Sequence, residues 1–176
     1  QRGLYEHFKL IAQAIKIPVI LYNVPSRTNL NIDPKTIQQL SEIENIIGIK
    51  ECNINQVAET INLCGDDFSI YSGEDALVLP LLSLGGKGVI SVMANIIPAD
   101  THNLVKSFLD GDIETARKIQ LKTVNLVKAL FCEVSPIPVK TAMNLLGMNV
   151  GKIRLPLVEM SEKNADLLKK ALIEYG

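Results

Sequence analysis

The sequence predicts an α/β fold built around a parallel β-sheet. Short apolar segments alternate with helical patterns over much of the chain, and only helical patterns follow the last such segment. The apolar residues are mostly continuous, as is typical of parallel strands buried on both faces. Repeated βαβ units imply a parallel sheet, which is either doubly wound or closed as a barrel.

Turn-forming residues bound each predicted strand. A helix over Leu4–Ile15 precedes the first strand, so the chain begins in the middle of a βα repeat. The four predicted strands cover Ile17–Tyr22, Ile46–Lys50, Phe68–Ser72 and Gly88–Val92.

The helices between the strands carry recognisable end signals. Asp33 followed by Pro34 is an N-cap with proline at the first helical position. Further helices are predicted over Asn55–Leu63 and Asp75–Leu84. The latter ends at Gly85, because glycine readily takes the left-handed conformation that terminates a helix.

A helical domain is predicted after the last strand, with a boundary near Asp110. Residues 1–110 then form the βα part and residues 111–176 the helical domain. Asp112 and Ser161 are suitable N-caps. The predicted helices cover Ala99–Leu109, Ile113–Leu130, Pro138–Leu146 and Ser161–Tyr175.

Four strands alone are a difficulty for this fold. A parallel sheet of that size keeps two edges and an incompletely covered face, whereas a closed (β/α) barrel needs eight strands. We therefore expect a truncated portion that lacks an N-terminal half. A naturally short chain that pairs with another is the alternative.

Composition excludes several classes of partner. With 18 Lys and Arg against 19 Asp and Glu, the net charge of −1 provides no basic field for nucleic acid. The longest apolar runs fall short of the roughly 20 residues that span a bilayer. We expect neither nucleic acid nor membrane as a partner.

The cysteines and histidines predict neither a disulfide framework nor a metal site. Three cysteines form no CxxC pair, and the two histidines, His7 and His102, stand far apart. This cysteine usage fits a reducing cytoplasm best.

Lys50 is the first candidate catalytic residue, because it ends an apolar strand. Its neighbours Ile46, Ile47 and Ile49 would disfavour the ammonium form and leave a neutral amine able to attack a carbonyl. This predicts Schiff-base chemistry. The alternative is a strand-end lysine that extends into solvent.

Tyr22 ends another predicted strand and Arg27 lies in the turn just beyond it, where parallel α/β enzymes collect catalytic residues. The Tyr22 phenol could transfer protons. Arg27 could hold a substrate carboxylate with two hydrogen bonds. A packing tyrosine and a solvated surface arginine are the alternatives.

Two motifs at a characteristic spacing carry a family resemblance. The segment 22–28, Tyr-Asn-Val-Pro-Ser-Arg-Thr, is followed after one helix by Gly-Ile-Lys-Glu-Cys at 48–52. This pair resembles the signature of the dihydrodipicolinate synthase and N-acetylneuraminate lyase family. The similarity continues through segments 71–75, 84–92 and 135–140, and thus over nearly the whole chain.

The resemblance implies the second half, strands five to eight, of an eight-stranded TIM barrel, followed by a C-terminal helical domain. It implies a cytoplasmic class I aldolase-type lyase of lysine and diaminopimelate biosynthesis, homotetrameric and without a cofactor. Lys50 matches the lysine that forms the imine with pyruvate, and Tyr22 the tyrosine that exchanges protons. Ile90 matches the position whose backbone carbonyl lies beside pyruvate.

Arg27 favours one branch of that family. Arginine in this turn is typical of the synthases, where it receives the carboxylate of aspartate semialdehyde, whereas sialic acid lyases differ there. Lyases of sialic or keto-deoxy sugar acids are the first alternative, and a non-catalytic half-barrel assembly module is the second. The family's tyrosine also works with a threonine and a second tyrosine from the N-terminal half, so we expect this portion alone to be inactive or impaired.

Two further patterns have structural interpretations. Gly85-Gly86-Lys87-Gly88 precedes a strand instead of joining a strand to a helix, so a phosphate site is not predicted there. The adjacent acids Glu74 and Asp75 are interpreted as residues that complement a helix dipole.

Overall fold

The computed structural model describes residues 1–176, which divide into two compact units, residues 1–90 and residues 91–176. The first unit contains all of the β-strands and the second is helical. The sequence instead predicts a domain boundary near Asp110, which would group the strands with one more helix. That boundary stays a prediction.

The first unit is built on a parallel sheet with strand order β1-β2-β3-β4. The strands are β1 (Val19–Asn23), β2 (Ile46–Glu51), β3 (Ser69–Ser72) and β4 (Gly88–Val89). The α/β class, the order of elements and the parallel pairing that the sequence predicts are confirmed. The first strand begins after Pro18, which has no N–H to give to a sheet.

A register shift interrupts the pairing of β1 with β2. Val19 pairs with Ile46, whereas Ile20 pairs with Gly48, so Ile47 is an extra residue on β2. Beyond it the register is regular. A Cβ added at Gly48 would collide with the carbonyl oxygen of Ser69, so glycine permits β3 to approach here.

Helices follow the strands in the predicted alternation. They are α1 (Arg2–Ala14), α2 (Pro25–Thr28), α3 (Pro34–Ser41), α4 (Val57–Cys64) and α5 (Val78–Ser83). Single 3₁₀ turns precede α4 and α5. After α5, Gly85 adopts φ of 108°, which confirms the predicted glycine termination.

Only one face of the sheet is covered. Leu21, Ile49 and Ile70 are buried together with Ile37 and Leu40 of α3. The opposite face carries exposed apolar side chains, among which Ile20 is 44% exposed. The prediction that the strands are buried on both faces is therefore wrong for this unit, because the helices packed against this core lie on one side of the sheet.

The second unit is a set of helices. They are α6 (Pro98–Leu109), α7 (Ile113–Lys122), α8 (Val124–Leu130), α9 (Ile137–Leu145) and α10 (Glu162–Tyr175). No helix in residues 1–176 is long and apolar enough to cross a membrane.

Two details of the second unit differ from the sequence prediction. The helix predicted over Ile113–Leu130 is divided at Thr123, whose buried hydroxyl donates to the Gln120 carbonyl and competes with helical bonding. Asp112 caps α7 as predicted, since its side chain accepts from the Thr115 N–H at 3.0 Å. The Ser161 side chain makes no cap and donates to Glu133 instead.

Candidate functional site

Lys50 and Tyr22 meet at the carboxyl end of the sheet. They are register partners on β2 and β1, and Tyr71 of β3 is the partner of Lys50 on its other side. The Lys50 Nζ stands 4.4 Å from the centre of the Tyr22 ring, within the range of a cation–π contact. The structure thus brings together the two residues that the sequence singles out.

The surroundings of Lys50 differ from the predicted ones. Ile46 and Ile49 are buried in the core on the covered face, and Ile47 is 43% exposed. Successive strand residues face opposite sides, so Lys50 projects away from Ile49. Its side chain instead runs beside Gly73, where an added Cβ would lie 3.2 Å from Lys50 Cε. The predicted shielding by the three isoleucines is therefore wrong.

The Tyr22 phenol is held in its protonated form. Its side chain is partly exposed, at 44%. Desolvation raises the pKa of Tyr22, and Cys52 and Glu74 raise it further, while the positive charge of Arg27 lowers it. A phenol in this state can donate a proton to a developing anion.

Arg27 lies on α2, at the same end of the sheet. The sequence predicts a turn here, and the structure has one turn of helix, because Pro25 is pre-organised for a helix start and Asn29 ends it with φ of 54°. Arg27 is exposed and close enough to influence the charge of Tyr22.

Ile90 follows β4 directly. Its N–H donates to the Ser72 carbonyl at 2.9 Å, which ties its backbone to the end of β3. Its side chain is 40% exposed. Ile90 therefore lies at the same end of the sheet as Lys50, with β3 between their strands.

Cys52 and Glu74 are site residues that the sequence reasoning missed. They line a cavity of about 390 Å³ together with Pro25, Ser26, Asn31 and Asn53. Burial raises the pKa of the Cys52 thiol and Glu74 raises it further. Glu74 stands without a side-chain cap at the N-cap position of the 3₁₀ turn before α5, so its interpretation as a residue that complements a helix dipole stays a prediction. The sequence position of Cys52 could have indicated it. Cys52 lies two residues after Lys50, and side chains two residues apart on a strand point to the same face.

A larger cavity, of about 600 Å³, lies in the second unit between α9, α10 and the segment before α10. None of the four predicted site residues lines it. All four of them belong to the first unit.

A buried polar network supports the strand ends from the covered face. The Glu51 carboxylate, 2% exposed, accepts from the Asn23 amide, the Gln56 amide and the Asn53 N–H at 2.7 to 2.8 Å. Desolvation raises the pKa of Glu51, and these hydrogen bonds partly oppose that effect. Asn23 and Glu51 directly follow Tyr22 and Lys50, so the network fixes the positions of both.

A parallel sheet that gathers a lysine, a phenol and a guanidinium at its carboxyl end is the arrangement of an α/β protein with its functional site at the strand ends. The family model of the dihydrodipicolinate synthetase family matches residues 1–175. The chain belongs to that family.

Individual relatives agree with this membership. The chain is 70% identical over 176 residues to the 4-hydroxy-tetrahydrodipicolinate synthase of Acetivibrio thermocellus, covering 100% of the chain and 60% of the relative. The dihydrodipicolinate synthase structure from Aquifex aeolicus is 46% identical with a TM-score of 0.95, covering 99% of this chain and 60% of that one.

A dihydrodipicolinate synthase from Acinetobacter baumannii, described as chloride-inhibited and complexed with pyruvate, is 38% identical with a TM-score of 0.95 and is matched over 99% of this chain and 61% of that one. The chain thus spans about 60% of the length of the relatives it matches.

Proposed function

We propose that the protein is a lyase that condenses pyruvate with L-aspartate semialdehyde through a Schiff base on Lys50, in lysine and diaminopimelate biosynthesis. The placement of the Lys50 amine against the Tyr22 ring, 4.4 Å from its centre, carries the proposal. Family membership and a relative named 4-hydroxy-tetrahydrodipicolinate synthase at 70% identity support it.

The proposed reaction begins when the neutral Lys50 amine attacks the ketone carbon of pyruvate. The new C–N bond gives a carbinolamine, its oxygen takes up a proton and leaves as water, and an imine remains. The imine nitrogen then accepts the electron pair left when a methyl proton departs, which forms an enamine. Tyr22 passes protons to and from these intermediates.

The enamine carbon next adds to the aldehyde carbon of the second substrate, and the aldehyde oxygen takes up a proton. The amino group of that substrate attacks the imine carbon and closes a ring. Lys50 departs as the free amine, which returns the site to its starting state. The lysine imine itself is the electron sink, so the proposal requires neither cofactor nor metal.

Arg27 and Ile90 are proposed to bind substrate. The Arg27 guanidinium can hold the carboxylate of aspartate semialdehyde with two parallel hydrogen bonds. The backbone carbonyl of Ile90 would lie beside the bound pyruvate. Arg27 is the residue that favours the synthase over lyases of sialic or keto-deoxy sugar acids.

We propose that the sheet provides strands five to eight of a (β/α)₈ barrel, with residues 111–176 as its helical domain. The uncovered face with Tyr22 and Lys50 would then line the barrel interior. We further propose a homotetramer in the cytoplasm, where the three free cysteines remain reduced.

Borohydride reduction in the presence of pyruvate tests the Schiff base in the full-length protein. We expect a stable pyruvate adduct on Lys50, located by peptide mass spectrometry, and no adduct in Lys50→Arg. Lys87→Ala, which removes an exposed lysine of the same unit, is the matched control and should label normally. A folded protein that forms no adduct would reject the proposal.

An aldehyde panel tests the substrate. Consumption of pyruvate with aspartate semialdehyde, and no cleavage of sialic acid or keto-deoxy sugar acids, is the expected result. The reverse pattern would assign the protein to the lyase branch.

A further inference from the structure

The segment that carries Arg27 forms a closed loop. It leaves β1 at Asn23 and returns to the side chain of the same residue, because the Ile32 N–H donates to Asn23 Oδ1 at 3.0 Å. The two ends of the segment are thereby held together, as in compact surface loops. Arg27 lies at its middle on α2 and forms no salt bridge, so the backbone of the loop determines where the guanidinium stands.

Asn31 fastens the returning end of this loop through its side chain. Its Oδ1 accepts from the Asn23 amide at 2.9 Å, and its Nδ2 donates to Gln56 Oε1 at 2.8 Å. The Gln56 amide also donates to the Ile32 carbonyl at 3.0 Å. Two consecutive loop residues are thus clamped between the same two buried amides.

Glu51 sets the direction in which both amides point. Its Oε1 accepts from the Asn23 amide and its Oε2 from the Gln56 amide, each at 2.8 Å. Both amide nitrogens therefore face Glu51, which leaves one N–H of Asn23 and the side-chain oxygen of Gln56 for the loop. Asn31 matches this pattern, because its amide offers one acceptor and one donor.

Further hydrogen bonds connect the clamped residues to α2. The Thr28 hydroxyl donates to the Leu30 carbonyl at 2.9 Å, and Leu30 directly precedes Asn31. The Asn29 N–H donates to the Pro25 carbonyl at 2.9 Å and closes the helical turn. The turn of α2 is therefore joined to the clamped residues, and its position follows theirs.

We propose that Asn31 is a positioning residue for Arg27 and so determines how tightly the second substrate is bound. This inference rests on the proposed function, in which Arg27 holds the carboxylate of aspartate semialdehyde. Two parallel hydrogen bonds to a carboxylate are sensitive to the placement of the guanidinium, because both N–H groups must meet the carboxylate oxygens at once.

Loss of the Asn31 side chain should leave the pyruvate side of the site intact. Lys50 and Tyr22 lie on strands whose ends are joined by the hydrogen bond from Asn23 to Glu51, in which Asn31 has no part. Weak binding of the aldehyde together with normal capture of pyruvate therefore distinguishes the positioning of the guanidinium from a general loss of structure.

Steady-state kinetics of full-length Asn31→Ala, together with borohydride trapping of pyruvate, tests the proposal. We expect KM for aspartate semialdehyde to rise about tenfold, the effect of one lost hydrogen bond to a charged group. KM for pyruvate and the rate of trapping should stay at their wild-type values. A wild-type KM for the aldehyde would overturn the proposal, and so would an equal loss in the rate of trapping.

Asn62→Ala is the matched control. Asn62 is an exposed asparagine on α4 of the same unit and lies outside the clamp, so this variant should keep both KM values. If Asn31→Ala does not fold, Asn31→Asp decides. Aspartate keeps the oxygen that accepts from Asn23 but loses the donor to Gln56, so KM for the aldehyde should still rise, and a wild-type value would reject the positioning role.

The Arg27→Ala background separates positioning from direct binding by Asn31. There Asn31→Ala should cause no further rise in KM for aspartate semialdehyde, because the guanidinium that it positions is absent. An additional rise of about tenfold in that background would show an independent role of Asn31 and would contradict the proposal.

The two proposals fail in different ways. A wild-type protein that forms no pyruvate adduct, or an Arg27→Lys variant with an unchanged KM for aspartate semialdehyde, rejects the proposed function and the positioning role with it. A normal adduct and a raised KM in Arg27→Lys, together with an unchanged KM in Asn31→Ala, rejects only the positioning role.

Discussion

Asn23 and Glu51 are register partners at the ends of β1 and β2, and the Asn23 amide donates to Glu51 Oε1 at 2.8 Å. Each directly follows a proposed catalytic residue, Tyr22 and Lys50 respectively. Because strand side chains alternate between faces, this buried pair lies behind the phenol and the amine and fixes their relative positions.

Glu51→Gln should remove a pH-dependent contribution to stability. The pKa of Glu51 is raised in the folded protein, so its contribution is fully present below the ordinary carboxyl pKa of about 4. The contribution is lost as pH rises through the raised value. The free energy of unfolding of the variant relative to wild type should therefore improve as pH rises, which urea unfolding at several pH values measures.

Glu59→Gln is the control for this measurement, because Glu59 is exposed on α4 of the same unit. Its unfolding free energy relative to wild type should stay within about 0.5 kcal/mol over the same pH range. A difference between Glu51→Gln and wild type that does not vary with pH would contradict the assignment.

Gly73→Ala should impair the site while leaving the fold intact. The added methyl group would displace the Cys52 thiol and press on the Lys50 side chain. Displacement of a reacting group by about 1 Å can cost as much as a hundredfold in rate, so we expect a loss of about 10- to 100-fold in the rate of borohydride trapping.

Gly3→Ala provides the comparison for Gly73→Ala, since nothing lies within 4 Å of the position its Cβ would occupy on α1. It should label at the wild-type rate. Equal trapping rates in both alanine variants would show that the space beside Gly73 is not needed.

Arg27→Lys should weaken binding of the second substrate. Lysine keeps the positive charge but loses the planar pair of donors that matches a carboxylate. We expect KM for aspartate semialdehyde to rise about tenfold or more, with KM for pyruvate unchanged. Arg2→Lys, a change on α1 outside the site, should alter neither KM value. If Arg27→Lys raised only KM for pyruvate, the guanidinium would instead be a pyruvate-binding group.

Tyr175→Phe should destabilise the helical unit without touching the site. The Tyr175 hydroxyl donates to Asp100, and Lys122 lies 4.0 Å from the ring centre and 3.4 Å from the same carboxylate. Removing the hydroxyl should lower the unfolding free energy by about 1 kcal/mol, measured by urea titration. Tyr5→Phe, a hydroxyl change in the first unit, should have a smaller effect.

The loss of unfolding free energy in Tyr175→Phe should itself depend on pH. The hydrogen bond from Tyr175 lowers the pKa of Asp100, so the stabilisation is present above the ordinary carboxyl pKa of about 4 and is lost as pH falls through the lowered value. The difference between Tyr175→Phe and wild type should therefore shrink in acid. A difference that grows in acid would contradict this reading of the contact.

Local patterns were sufficient to predict the order of elements and the placement of Lys50 and Tyr22 at strand ends. The approach of the Cys52 thiol and the Lys50 side chain to Gly73 was not predictable in that way, because it depends on how neighbouring strand ends lie against each other. An incompletely covered sheet face was expected, but which residues it exposes escaped prediction, since Ile20 and Ile47 are as apolar as the buried Ile49. The catalytic roles of Lys50, Tyr22, Arg27 and Ile90 stay predictions that the experiments above address.

The extra residue Ile47 decides on which side of the sheet the amine emerges. If the pairing of Val19 with Ile46 simply continued, Lys50 would stand opposite Asn23 instead of Tyr22. Its ammonium would then point into the helix-covered core, where Asn23 is 1% exposed. Regular pairing of Ile47 with Ile20 would thus turn the proposed nucleophile toward the interior without altering a single polar side chain.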